Sequence, residues 1–347
     1  MDNEVPLDDF FKKKCRISLC FTNRKIWLTI LIIILIFLFY LLYNLIEEIQ
    51  IAKNSNVKIK SELLDLHTQM SESLKNKNNS VVILHPPSVD RIKVSSTKPS
   101  FKLYLHPSPD MVSDAFNRHG YWDNCAQILQ VATSKINKKL VIVEVGTNIG
   151  TCAFMYIANG HKVYGFEPFP PSIELIRKSQ LENSDLTGEL ILIEAGASNK
   201  KGITNVFFEH GNIGNSRIGD NKENYNIKQF HYQKHNKIRM TTIDNIVSEH
   251  VNLLKMDCQG YEYFAAMGAS ELIVKYGIDV VVFEFTPIFI EANNQNPVDL
   301  LHFFDKRNFS IYHNGKLLIN SEFDVFTSQL KSKQLDTTIV CYNKEII

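Results

Sequence analysis

The sequence predicts an α/β fold: a mainly parallel, doubly wound sheet with an antiparallel edge, preceded by one apolar segment and a polar stem. Three observations carry this reading. Leu140 to Thr151 reads LVIVEVGTNIGT, an apolar run that ends in Glu144 and passes through a glycine bend into a helix. Buried-type strands recur at KVYGFE (162–167), ELILIEA (189–195) and NLLKMD (252–257), with helical stretches between them. Strands that alternate with helices favour parallel pairing. Ahead of all this, Ile26 to Tyr43 is apolar or aromatic apart from Thr29.

In chain order, residues 1–25 form a basic tail carrying Lys12, Lys13, Lys14, Arg16, Arg24 and Lys25. Residues 26–46 are long enough to cross a bilayer as a helix. Trp27 lies near one end and Tyr40 and Tyr43 near the other, and Glu47 and Glu48 follow. The Lys/Arg excess on the amino-terminal side predicts a single-pass, type II signal anchor with the remainder lumenal, in the Golgi or endoplasmic reticulum. A cleaved signal peptide would need a shorter core and small residues where Leu41 and Leu42 stand. Cys15 and Cys20 are acylated or plain thiols. Cys152 and Cys258 read as small packing residues, and no cysteine spacing suggests a metal.

Residues 47–99 read as stem and linker. Ile49, Ala52, Asn56, Ile59, Leu63, Leu66 and Met70 recur at spacings of three and four. This is either a short seam that pairs two chains into a homodimer or one face of a solvated stalk. Asn78 and Asn308 sit in glycosylation-acceptor tripeptides. The folded domain is placed at 100–347.

Within the domain, Phe101–Leu105 is a short strand. Asp110–Asp123 is a helix broken at Gly120 that can form a lid or rim, and Cys125–Lys135 is a helix. Ser172–Leu181 is helical and Thr204–Glu209 a strand. Glycine-rich 210–220 reads as a flexible loop, and 221–235 as a solvated excursion or an aromatic–lysine stacking surface. Ile238–Thr241 returns as a strand. Thr242 caps a helix through Val247. Glu262–Tyr276 is one helix closed by Gly277. Ile278–Phe285 is a central strand, Pro297–Arg307 a helix, Ser310–Ile319 a hairpin around Asn314-Gly315, and Thr337–Tyr342 a closing strand.

The loop Glu144-Val-Gly146-Thr-Asn148-Ile-Gly150 lacks the paired glycines of a dinucleotide fingerprint, and no Gly-Lys-Ser/Thr phosphate loop occurs. Its helix start would offer backbone N–H groups to an anion. An acidic strand end before a glycine bend suits S-adenosylmethionine. Glu144 would face its ammonium, Glu167 its ribose diol, and Ala197 and Ser198 its adenine edge. The net charge of +1 gives no general pull toward nucleic acid.

These motifs resemble the FkbM family of S-adenosylmethionine-dependent methyltransferases. EVGTNIG matches the family's first motif, and Phe166-Glu167-Pro168 its second. Thr242-Ile243-Asp244 and Leu253 through Glu262 (LLKMDCQGYE) match the third and fourth. The resemblance runs from about Val141 to Phe285. It implies a Rossmann-like class I methyltransferase fold and O-methylation of a hydroxyl acceptor such as a glycan. On it, the cofactor residues are Glu144, Gly146, Asn148, Gly150, Glu167, Ala197 and Ser198, and the base candidates are Asp257, Glu262 and His210. Each candidate has a plainer role: Asp257 as a turn cap, Glu262 as a first-turn acid, His210 as a loop residue. Glu284 is a pocket acid or a partner of Lys255. Two positions depart from the family pattern: Glu144 replaces Asp, and Gln259 replaces an acid. The second leaves open a non-catalytic membrane-anchored binding module. A nucleotide-sugar glycosyltransferase shares the anchor-and-stem plan but would carry an Asp-x-Asp motif, which is missing.

Overall fold

The computed structural model of the chain describes residues 91–134, 136, 138–209, 211–219 and 232–345. The tail, the anchor segment and the stem up to residue 90 lie outside the described residues, as do His210 and residues 220–231. Among the described residues no helix is long and apolar enough to cross a membrane.

The described chain opens with an antiparallel pair, β1 (Arg91–Val94) and β2 (Lys102–Leu105). Ordered structure thus begins before residue 100, and Arg91 ties it down by pairing with Asp114 at 2.9 Å. Helices α1 (Met111–His119) and α2 (Asp123–Thr133) follow. Asp110 caps α1 by accepting from the Ser113 N–H at 2.9 Å, and left-handed Gly120 ends it. Two β-α-β units come next: β3 (Val141–Val145), α3 (Thr151–Ala158), β4 (Lys162–Phe166), α4 (Pro170–Glu182) and β5 (Glu189–Ile193). Four strands then leave the main sheet: β6 (Gly196–Ala197), β7 (Gly202–Glu209), β8 (Asn212–Gly219) and β9 (Tyr232–Thr241). The chain returns with β10 (Val251–Met256), α5 (Glu262–Met267), α6 (Ser270–Lys275), β11 (Ile278–Phe285), α7 (Pro287–Ala292) and α8 (Pro297–Asp305). It closes with β12 (Phe309–His313), β13 (Lys316–Leu317), α9 (Phe323–Lys333) and β14 (Thr337–Asn343).

The main sheet has eight strands in the order β13-β12-β14-β11-β10-β3-β4-β5. The five from β11 to β5 are mutually parallel. The last three are antiparallel, with β14 inserted between β11 and β12. The expected mainly parallel sheet with an antiparallel edge is present in a mixed α/β fold. Central strands are apolar on both faces because helices cover both. Ile142, Leu253 and Val280 enter one buried cluster with α2 and α3, while Val143, Leu254 and Val281 enter another with α5 and α8. Chain progression reverses between β3 and β10. Their carboxyl ends therefore diverge into a crevice, the usual ligand position in such sheets.

Some local expectations change. The glycine-rich stretch expected as a flexible loop is mostly strand β8, because its backbone pairs with β7 in a four-stranded sheet ordered β6-β9-β7-β8. Residues 196–197, which directly follow the strand expected at 189–195, belong to this second sheet. Thr242 caps a turn, not a helix: its hydroxyl accepts from the Asn245 N–H at 3.1 Å. The long helix expected at 262–276 is two, α5 and α6. A Cβ on Gly268 would lie 2.0 Å from the Ser198 carbonyl oxygen, and Asp244 accepts from the Glu271 and Leu272 N–H groups at 3.1 and 2.7 Å, starting a new helix there.

Cys125 on α2 and Cys152 on α3 form a disulfide with Cα atoms 5.0 Å apart. This corrects the reading of Cys152 as a packing residue alone; Cys258 and Cys341 are free. The bond closes a loop across two helices that share one buried cluster. Replacing both cysteines with serine should cost about 2–4 kcal/mol of stability in denaturant unfolding. Peptide mapping without reductant should recover the linked pair; finding both thiols free in native protein would contradict the bond.

Candidate functional site

The glycine bend after β3 sits under tight steric control. Gly146 has φ +84°, and a Cβ there would lie 1.8 Å from the Asp257 carbonyl oxygen. No larger residue fits, so the ends of β3 and β10 meet here. The bend's N–H groups are already engaged. Those of Gly146 and Thr147 donate to the Phe166 carbonyl at 3.0 and 3.1 Å, and that of Gly150 donates to Thr147. The Asn148 N–H donates to Glu167 Oε2 at 2.7 Å. These amides fix the bend to β4 and Glu167; the N–H groups at the start of α3, expected to meet an anion, are a separate set. Gly214 of β8 lies over the bend, where a Cβ would meet the Asn148 amide nitrogen at 2.7 Å.

At the sheet's carboxyl edge, Glu144 and Lys255 are neighbours on β3 and β10. Lys255 Nζ lies 3.2 Å from Glu144 Oε1 and 4.0 Å from Asp257 Oδ2. Both members of the first pair are buried, whereas the Asp257 side chain is 35% exposed. Burial raises the Glu144 pKa although Lys255 opposes it. For Lys255, burial lowers the value, but Glu144 and Asp257 outweigh it and the net shift is upward. Glu144 Oε2 is buried without a hydrogen-bond partner.

Two adjoining compartments open at this edge. The narrower, about 50 Å³, is walled by Glu167, Phe169, Ala197, Val206, Ile218 and Cys258. The wider, about 480 Å³, is walled by Met111, Trp122, Glu144, Lys255, Glu284, Phe289 and Asp336, among others. Gly146, Asn148, Gly214, Asp257 and Gln259 line both, so the two compartments adjoin at these five residues. The lead-in helix α1 and Trp122 do form a rim of the wider compartment.

The candidate residues therefore divide. Glu144, Gly146, Asn148, Glu167, Ala197 and Asp257 stand in the compartment walls. Gly150 precedes α3 as its cap without lining either compartment, and Ser198 N–H donates to the Thr241 carbonyl behind the wall. Glu262 is not brought to the cavity as a base. It is buried, and its two oxygens accept from the Cys258 and Gly260 N–H groups at 2.9 Å each, which closes the turn after β10. His210 lies outside the described residues. Glu284 is a pocket acid, bound to Gln259 rather than to Lys255. Trp122 belongs to the 110–123 segment expected as a lid or rim, but the reading of the sequence did not single out Phe289 or Asp336 as wall residues. They come from segments far apart in the chain and carry no shared motif. Among the described residues no group of three or more His, Cys, Asp or Glu side chains is arranged to hold a metal ion.

Burial pushes the carboxyls of Glu167 and Glu262 up from 4.5 to about 7, against the backbone N–H groups that favour their ionised forms. The folded value exceeds the unfolded one, so each contribution is full below the unfolded pKa and is lost as pH rises through the folded one. Burial lowers the His106 and His161 pKa values, which acts in the opposite sense over part of this window. The melting temperature should therefore fall relative to that of the Glu167→Gln, Glu262→Gln double variant as pH rises from about 4.5 to beyond about 7. No relative fall across that window, at fixed ionic strength, would contradict these two shifts.

Residues 144–311 match the family model of the Methyltransferase FkbM domain, a little under half of the chain. No curated protein matches. Among solved structures, a methyltransferase FkbM from Methylobacillus flagellatus KT is 14% identical at a TM-score of 0.36, with 59% of this chain and 44% of that one covered. This chain thus spans less than half the length of that protein. A magnesium protoporphyrin IX methyltransferase from Synechocystis with bound SAM is 8% identical at 0.34, covering 63% and 79%. A TehB-like SAM-dependent methyltransferase from Corynebacterium glutamicum is 12% identical at 0.36, covering 67% and 92%. Similarity this shallow adds nothing to what the site itself displays.

Proposed function

We propose, from the Methyltransferase FkbM domain at residues 144–311, that this chain is an S-adenosylmethionine-dependent O-methyltransferase. Its acceptor is a hydroxyl on a glycan, and it works in the lumen of the Golgi or endoplasmic reticulum, held by one membrane-spanning segment at 26–46. The observation that carries the catalytic reading is the place of Asp257 on the boundary shared by the narrow and the wide compartment. A donor running from Glu144 in the wide compartment to Glu167 in the narrow one would cross that boundary, with a proton acceptor beside it.

The residues fit the donor. Glu144 Oε2, buried and unpartnered, is an acceptor waiting for a cationic group and would hold the ammonium. Glu167 would hold the ribose hydroxyls, and Phe169 and Ala197 would flank the base. When bound, S-adenosylmethionine supplies an electrophilic methyl whose S–C bond breaks as the acceptor's O–C bond forms, leaving S-adenosylhomocysteine. Asp257 takes the proton that the hydroxyl gives up. Gly146, packed against the Asp257 backbone, and Asn148 fix the bend beside it, so alignment supplies much of the rate.

The secretory-pathway reading rests on the sequence pattern at 1–46 and gains support from the Cys125–Cys152 disulfide, since such bonds persist in oxidising compartments. Asn308, the acceptor of one glycosylation tripeptide, is exposed, which is consistent with it. Incubating the full-length chain with methyl-labelled S-adenosylmethionine and a panel of glycans should transfer label to a hydroxyl. Calorimetry that detects no S-adenosylmethionine binding would overturn the enzyme reading. Binding without transfer to any acceptor would favour the non-catalytic module.

A further inference from the structure

Gln259 replaces the acid found in the motif it resembles, and its position explains what an amide does there. Its Nε2 lies 2.9 Å from Asp257 Oδ1 and 2.9 Å from Glu284 Oε2. An amide nitrogen carries two hydrogens, so it can donate to both carboxylates at once. Two carboxyl groups this close repel when both are ionised. A third carboxylate in the same place would add repulsion and provide no donor.

The backbone is bent to deliver this side chain. Gln259 has φ +56°, a left-handed conformation uncommon for a residue with a Cβ. The turn is closed on either side of it by Glu262, through the Cys258 and Gly260 N–H groups. Among the described residues, Gln259 is the one hydrogen-bond donor that reaches the Asp257 carboxylate; Lys255 stands off at 4.0 Å. Both Asp257 and Gln259 line the two compartments where they adjoin.

Resting on the methyl-donor reading above, the geometry points to Gln259 as the positioning residue that aims the Asp257 carboxylate at the boundary of the two compartments, by bridging it to Glu284 through one amide nitrogen. A carboxylate so aimed would favour the cationic sulfur of S-adenosylmethionine, which S-adenosylhomocysteine lacks. The preference for the first over the second is thus a direct reading of the carboxylate's placement. The charged groups around the pair are Glu144 from β3, Lys255 from β10, Glu284 from β11, Glu262 from α5 and Asp336 before β14.

The test is calorimetric binding of each molecule to the full-length chain and its variants. Gln259→Met keeps the length of the side chain and removes the donor. It should lower affinity for S-adenosylmethionine by about tenfold while S-adenosylhomocysteine binding stays within about twofold. Gln259→Glu should lose the same preference at neutral pH and regain it as pH falls, since only a protonated carboxyl can donate to Asp257. If Gln259→Met fails to fold, this pH dependence carries the test alone. Equal losses for both molecules, or no loss in either, would overturn the inference and leave the methyl-donor reading standing. A native chain that binds neither molecule would remove both.

Discussion

Asp257→Asn should lower the rate of methyl transfer by about 10²- to 10⁴-fold, the range expected when a positioned base is removed. The substitution is isosteric. The asparagine oxygen can still accept from Gln259 at the 2.9 Å now held by the carboxylate, so the turn after β10 should keep its shape. What is lost is the capacity to take a proton at the boundary of the compartments. Single-turnover transfer from labelled S-adenosylmethionine, measured beside its binding affinity, separates the two effects. A variant that transfers at the native rate would show that the proton leaves by another route. A variant that also fails to bind the donor would assign Asp257 to cofactor binding instead.

Lys255→Met should be among the most destabilising substitutions in the domain, costing about 3–5 kcal/mol. It strips the partner 3.2 Å from Glu144 and leaves that carboxylate buried among apolar strands. The cost arises from the charge left behind more than from the bond removed. The double variant Lys255→Met with Glu144→Leu should therefore recover much of the loss, though the proposed ammonium site goes with it. Denaturant unfolding of the two singles and the double measures the coupling. Additive losses would mean that the two side chains act independently.

The parts of the fold that were legible share one physical property. β3, β4, β10 and β11 are buried on both faces, so their sequences are mainly apolar, and their polar residues gather at the strand ends and at the sheet's carboxyl edge. Glu144, Glu167 and Asp257 mark that edge, which is why they could be placed before any coordinates. β8 was illegible because NIGNSRIG has loop composition and becomes a strand only through its partner β7. The break between α5 and α6 depends on the Ser198 carbonyl and on Asp244, both distant in sequence. The Cys125–Cys152 bond depends on two helices meeting, which a separation of 27 residues does not disclose. Gln259 was visible as a departure from a motif. Its two carboxylate partners were not, because Glu284 comes from the next strand across.

Strand β14 pairs along one side with β11 and along the other with β12. A ribosome makes residues 337–343 after every strand they lie between. The gap between β11 and β12 must stay open until that stretch emerges, and two unpaired edges are exposed to the crowded surroundings meanwhile. A premature stop before Thr337 would not trim the sheet at its margin; it would leave the nascent chain with a missing rung in its interior.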